Sequence, residues 1–317
     1  MIVEIQHETR FEYSEATIES LAELRMEPVS DTVQSCHSYH LAVTPPTEVF
    51  RYTDGFGNRV HHYNLLVPHK LVRILSASVV ETHPATPDLS ASRARFPFER
   101  GELPLEVLDF LQFRGSVRET PLLTPVLDAL RPAAGLPVAR LMLDVAHFIH
   151  ERFEYARDAT LATSPVDEVL RKAKGVCQDF AHLMLAVLRS FGVPTRYVSG
   201  YIHRPNKESQ SHAWCEVWLP DAGWIGVDPT NDQVVDERFV KVAIGRDFTD
   251  VPPNRGVCRT RGRESISVRV ETRELPRLPS LSWQEQLPPL NVPLQEILVR
   301  SQTELRAEEE AQQQQQQ

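Results

Sequence analysis

Gly175-Val176-Cys177-Gln178-Asp179-Phe180-Ala181-His182-Leu183-Met184 opens the stretch, running on to Asn231, that decides the fold. Apolar residues recur at Val176, Phe180, Leu183, Met184, Val187, Leu188 and Phe191, the spacing of a helix that buries one broad stripe. Gly192 and Pro194 close that helix, since glycine readily adopts the left-handed conformation just past a last turn and proline cannot extend it. Cys177 therefore falls in the first turn. Unpaired backbone N–H groups and the positive end of the helix dipole favour an anion there, and the thiolate is the nucleophilic form of cysteine.

Two strands follow. Thr195 to His203 is rich in aromatic and β-branched residues, and His212 to Leu219 alternates as a second strand. Pro220-Asp221-Ala222-Gly223 turns the chain, and Trp224 to Asp228 returns antiparallel until Pro229. If Leu219 pairs with Gly223, His212 and Asp228 become diagonal neighbours at the open end of one hairpin. Pairing Leu219 with Trp224 instead would turn Asp228 to the opposite face. A cysteine nucleophile needs a base within hydrogen-bond reach, and that base needs a third group to fix its tautomer. Cys177 would attack a carbonyl carbon, His212 would hold and deliver the proton, and Asp228 would orient the imidazole. The backbone N–H of Cys177 would form half of an oxyanion hole.

GVCQDFAHLMLAVLRSFGVPTRYVSGY and SHAWCEVWLPDAGWIGVDPTN, with the spacing between them, resemble the core of the bacterial transglutaminase-like superfamily, candidate cysteine proteases related to animal transglutaminases. The resemblance implies an α+β, papain-like fold in which a helix carrying the cysteine packs on an antiparallel sheet carrying the histidine and aspartate. It carries Cys177, His212 and Asp228 as the triad. It is dense from Gly175 to Asn231 and looser over residues 140 to 275, and a β-rich N-terminal region also accompanies this family. Animal transglutaminases use a tryptophan upstream of the cysteine as oxyanion donor, whereas no Trp precedes Cys177 here. Tyr155 is the substitute candidate, with Gln178 and Trp214 as further oxyanion or cleft candidates.

The rest of the chain reads as accessory to this core. Residues 1–95 show short alternating segments with turn signals, the pattern of a separate β-sandwich-like domain. Residues 96–137 read as a helical linker region and 138–275 as the catalytic core, with Glu264 to Thr272 as one more strand at the core's sheet edge. Residues 276–317 are Pro-rich, then acidic, and end in six glutamines, a composition that cannot build a packed core. The sandwich could recruit a protein substrate or form a homo-oligomer.

With 34 Lys and Arg against 43 Asp and Glu, the net charge of −9 disfavours nucleic acid and anionic membrane as partners. The N-terminus has no basic start, and no apolar run reaches the roughly 18 residues a membrane span needs. A cytoplasmic location is expected, and its reducing conditions would leave Cys177 free among Cys36, Cys177, Cys215 and Cys258. Cys215, opposite in parity to His212, reads as a core residue, His182 as a structural histidine, and Asp179 as a complement to the helix dipole. Neither Cys36-His37-Ser38-Tyr39-His40 nor His61-His62 has the paired spacing of a zinc site, and no Asp/Asn-rich loop has calcium-ligand spacing. No cofactor or metal is therefore expected. The expected function is cysteine-dependent acyl transfer on amide or isopeptide bonds of a protein or peptide substrate, with hydrolysis preferred. Transglutaminase cross-linking is the alternative within that chemistry, and a non-catalytic peptide-binding module the alternative outside it.

Overall fold

Val3, Ile5, His7 and Thr9 are buried while Glu4, Gln6 and Glu8 between them lie nearer solvent, so Ile2–Thr17 forms a long half-buried strand, β1. The computed structural model describes residues 1–83, 88–98, 101, 103–157, 159–205, 211–260 and 262–279. The segment expected to be disordered lies outside these residues from position 280 onward.

After β1 come β2 (Ser20–Leu24), β3 (Gln34–Thr44), β4 (Val49–Thr53), β5 (Arg59–Leu65) and β6 (His69–Thr82). Then follow α1 (Leu105–Leu108), α2 (Thr124–Leu130), α3 (Val138–Arg152), β7 (Glu154–Tyr155), α4 (Val166–Lys172), β8 (Lys174–Gly175) and α5 (Cys177–Ser190). The chain continues through β9 (Thr195–Ile202), β10 (Ser211–Leu219), β11 (Gly223–Asp228), β12 (Gln233–Val234) and β13 (Phe239–Gly245), and ends in β14 (Asn254–Cys258) and β15 (Glu264–Leu275).

Three antiparallel sheets result, in the orders β15-β1-β6-β3, β14-β2-β5-β4 and β12-β11-β10-β9-β13. The first two form the sandwich and share an apolar core containing Tyr13, Leu24, Met26, Tyr63, Leu65, Val72 and Ile74. The third sheet packs against α5, which is the centre of the core domain.

Two expectations about boundaries are corrected. Glu264–Leu275 pairs along nearly all of β1, from Ile2↔Leu275 to Tyr13↔Glu264, and so completes the sandwich instead of edging the core sheet. Residues 138–275 are therefore not one unit, because β14 and β15 return to the N-terminal sheets, whose partner strands offered unpaired edges. Residues 96–137 are not a linker. Val117, Leu123 and Val126 are buried in the same cluster as α3 and α5, and Phe110 packs edge-on against Trp224.

The stripe expected on α5 is a full circumference. Every residue from Asp179 to Arg189 is buried, because β9 and β10 cover one side and α2, α3 and α4 the other. Burying Phe180, Leu183, Met184, Leu185, Val187 and Leu188 stabilises the helix in place by roughly 9–18 kcal/mol, at about 1.5–3 kcal/mol per side chain. Arg189 enters this core because its guanidinium donates to the carbonyls of Gln112, Thr195 and Arg246.

Sandwich and core are locked by two amides. β13 is an edge strand, and Gln34 pairs both its side-chain groups with the Lys241 backbone, Nε2 to the carbonyl at 2.8 Å and Oε1 from the N–H at 2.8 Å. Asn58 does the same to Ile244, at 2.8 Å and 2.8 Å. A primary amide presents a donor and an acceptor side by side as a peptide unit does, so these two side chains act as a neighbouring strand for β13.

Candidate active site

Gly175 and Asp179 build the turn that presents Cys177. Asp179 is three residues past Val176 and accepts its backbone N–H at 2.8 Å, while Thr160 donates to the same carboxylate oxygen. A Cβ on Gly175 would stand 2.8 Å from the Asp179 Cβ, so only glycine fits there. The first bond of the helix runs from the Phe180 N–H to the Val176 carbonyl at 3.1 Å, leaving the N–H groups of Cys177 and Gln178 free of intrahelical partners. Asp179 thus caps the helix, and desolvation holds its carboxyl above the ordinary range despite these bonds.

The hairpin takes the register with Leu219 opposite Gly223 and Cys215 opposite Val227. One step further along, Asp228 lies across from Trp214 and diagonal to His212. His212 Nε2 stands 2.7 Å from Asp228 Oδ2, with both side chains buried. Cys177, at the start of α5, lies beside the same imidazole and acts on its charge, and with Nε2 given to Asp228 it is Nδ1 that remains for the cysteine. Burial opposes a charge on His212, yet the hydrogen bond to Asp228 and the neighbouring Cys177 raise its pKa to about 10. Burial likewise opposes the charge on Asp228, but His212, Asn231 and the Thr230 N–H hold it below the ordinary carboxylate range. The structure therefore brings Cys177, His212 and Asp228 together at the N-terminus of a buried helix.

The other predicted residues take different places. Tyr155 pairs with Gly175 in the short parallel ladder β7–β8, two residues before Cys177, and its ring meets Phe180 edge-on at 6.3 Å. It is 47% exposed at the rim, and burial and then the neighbouring Cys177 push its phenol up. Gln178 donates its side-chain amide to the Ala162 carbonyl, so that group ties down the loop before α4. Trp214 is only 1% exposed and stacks behind the His212 ring at 6.2 Å, with Phe239 beside both, so it backs the imidazole and cannot wall a cleft. His182 is structural: Nε2 accepts the Phe248 N–H at 3.1 Å and the ring packs on Tyr197. Cys215 packs in the core against the Ala181 carbonyl.

Sequence reasoning missed Asn231 and Arg204. Asn231 donates its amide to Asp228 Oδ2, and Arg204 donates to Asn231 Oδ1 at 3.0 Å. The signal for Asn231 was present in Asp228-Pro229-Thr230-Asn231, a turn whose first aspartate accepts the Thr230 N–H at 2.8 Å. Arg204 carried no local signal. Among the described residues, no group of three His, Cys, Asp or Glu side chains is placed to hold a metal ion, and no helix is long and apolar enough to cross a membrane.

A cysteine at the start of a buried helix, facing a histidine and an aspartate on adjacent antiparallel strands, defines the transglutaminase-like class of α+β proteins. Residues 136–229 match the transglutaminase-like superfamily and residues 3–81 the bacterial transglutaminase-like N-terminal region, so the chain belongs to that superfamily. It is 33% identical over 282 residues to the uncharacterised protein Rv2569c of Mycobacterium tuberculosis, covering 83% of this chain and 89% of that one. It is also 33% identical over 279 residues to the uncharacterised protein ML0607 of Mycobacterium leprae, covering 86% of this chain and 98% of the other. A shorter similarity, 35% over 127 residues, joins 35% of this chain to 18% of a protein-glutamine gamma-glutamyltransferase of Pseudomonas aeruginosa. A candidate cysteine protease from Cytophaga hutchinsonii shares the fold at a TM-score of 0.75, covering 88% of this chain and 92% of that one at 21% identity.

Proposed function

We propose that this protein transfers acyl groups from amide or isopeptide bonds of a protein or peptide through a Cys177-His212-Asp228 triad. The observation that carries the reading is the His212–Asp228 contact of 2.7 Å, with Cys177 at the start of α5 beside the same imidazole. The Cys177 sulfur attacks the carbonyl carbon, and the developing oxyanion is held by the Cys177 N–H, with the Tyr155 hydroxyl as the second donor. His212 holds the proton that the sulfur gives up and delivers it to the leaving amine as the C–N bond breaks and the thioester remains. Water then attacks the thioester while His212 takes its proton, and the thiolate leaves. Asp228 keeps the imidazole oriented and offsets its charge throughout.

Hydrolysis is the preferred outcome because water is always present and the rim at Tyr155 is open to solvent. The second reading, transfer to an amine, is favoured by the similarity to the glutamyltransferase of Pseudomonas aeruginosa. Both are tested by incubating the protein with glutamine-containing peptides, with and without a fluorescent primary amine. Ammonia release without incorporation means hydrolysis, and incorporation means transamidation. Cys177→Ala should lower either signal by at least about a thousandfold. A Cys177→Ala protein that keeps most of the activity sinks the triad, and peptide binding with no turnover in either form favours a binding module.

A further inference from the structure

Asp228 is fully buried, and four donors surround it. Oδ1 accepts the backbone N–H groups of Thr230 at 2.8 Å and Asn231 at 3.4 Å. Oδ2 faces His212 Nε2 at 2.7 Å and also accepts the Asn231 side-chain amide, whose nitrogen lies 3.5 Å from the same imidazole nitrogen. The oxygen and nitrogen of an asparagine amide look alike, so its direction must be argued from its partners. Arg204 decides it. A guanidinium has only donors, and Arg204 Nη2 lies 3.0 Å from Asn231 Oδ1, so the asparagine must turn its oxygen to Arg204 and its NH2 to Asp228.

The placement in the sheet reinforces this. Arg204 follows the end of β9 and Asn231 follows the end of β11, and these two strands flank β10, which carries His212. The Arg204–Asn231 bond clasps the strands on either side of the histidine.

We infer that Asn231, oriented by Arg204, is a positioning residue that fixes the direction and ionisation of Asp228 and thereby the tautomer of His212. The inference rests on the triad reading. With Oδ2 held ionised and aimed, His212 keeps its Nε2 proton on the Asp228 side and exchanges protons through Nδ1, the nitrogen facing Cys177. Losing the Asn231 amide would leave Oδ2 with the imidazole as its single donor in a desolvated site, which favours protonation of the carboxyl. The hydrogen bond from Asn231 is among the influences that hold the Asp228 carboxyl down against burial. Neither Asn231 nor Arg204 donates to the reacting sulfur, so their effect travels through Asp228.

The test needs no substrate. The rate of Cys177 alkylation by iodoacetamide is measured against pH, reading the Cys177 peptide by mass spectrometry, for the wild type, His212→Ala, Asn231→Ala, Arg204→Ala and Arg204→Lys. Asn231→Ala should lower the neutral-pH rate about tenfold, the size expected for one charge-assisted hydrogen bond, and move the acid limb of the profile upward. Arg204→Ala should shift the profile in the same direction by a smaller factor, and Arg204→Lys should restore part of it. A wild-type profile in Asn231→Ala, with His212→Ala clearly slowed, overturns the inference and leaves the triad standing. If Asn231→Ala does not fold, Arg204→Ala decides: Arg204 is partly exposed, and a wild-type profile there overturns the inference. A wild-type profile in His212→Ala overturns both the triad and the positioning role.

Discussion

His212 carries the largest electrostatic commitment of the site. Its imidazole is buried, which opposes the charge, and the bond to Asp228 with Cys177 nearby holds its pKa at about 10, above the ordinary value of 6.5. The folded state therefore binds the proton more tightly than the unfolded chain does. The resulting stabilisation is complete below about pH 6.5 and is lost as the pH rises through about 10. The thermal midpoint of the wild type should exceed that of His212→Ala most at pH 6, and the gap should shrink steadily above pH 8. A gap that stays constant to pH 10.5 contradicts a charged His212. The residues of this trio were legible in the sequence because each sits beside a local marker: the Gly-Val before Cys177, the alternating strand at His212, the proline after Asp228. Arg204 was not, because its role depends on two strand ends meeting.

At the scale of elements, the close approach that backs the histidine is set by Gly200. A Cβ at this position would lie 2.1 Å from the Val240 carbonyl oxygen and 2.6 Å from the Trp214 ring. The indole therefore occupies the space a side chain on β9 would take, and it supports the His212 ring from there. Gly200→Ala should cost about 3 kcal/mol or more, since backbone on one side and a fully enclosed ring on the other leave little room to adjust. Denaturant unfolding measures this, and a loss under 1 kcal/mol would mean that β13 can move away from β9. The helix α5 was readable from its period, but not its complete burial. Ala181, Leu185 and Ala186 point away from the predicted stripe, and they are buried as well because the third sheet and the helices α2, α3 and α4 together surround α5.

Over the whole molecule, Gln34 and Asn58 join the sandwich to the core by completing the edge of β13, beside a shared apolar cluster that includes Val3, Ile5, Val80 and Val270. Gln34→Ala takes that amide from both backbone groups of Lys241; the carbonyl keeps the Val29 N–H at 3.3 Å, and the N–H left unpaired costs about 1–3 kcal/mol. Denaturation of the wild type should be a single transition, and Gln34→Ala should lower its midpoint; two separate transitions in the wild type would show the units to be independent. Acid should loosen the same interface. His7, whose Nδ1 lies 2.8 Å from the Tyr201 hydroxyl across the interface, is pushed down by burial to about 4, and His182 in the core to about 3. Both stay neutral in the fold while the unfolded chain takes up protons below about pH 6.5. Stability is therefore lost as the pH falls from about 6.5 toward 4, by about 3 kcal/mol for each histidine at pH 4. His7→Gln and His182→Gln should each make the thermal midpoint less sensitive to pH over this range.

The amino-acid sequence by itself determined the local units: the strands of the N-terminal region, the helix that starts at Cys177, and the two strands and glycine turn of the hairpin, whose register the structure then chose between two possibilities. Each follows from interactions between residues near one another in the chain, where periodicity, turn residues and caps are strong signals. Only the tertiary structure decided that β14 and β15 belong to the sandwich, that residues 96–137 are part of the core, that Trp214 stands behind the histidine, and that Arg204 and Asn231 hold Asp228. These depend on which strand edges and side-chain amides meet across long loops, and a polar group's partner at that distance leaves no pattern in the chain.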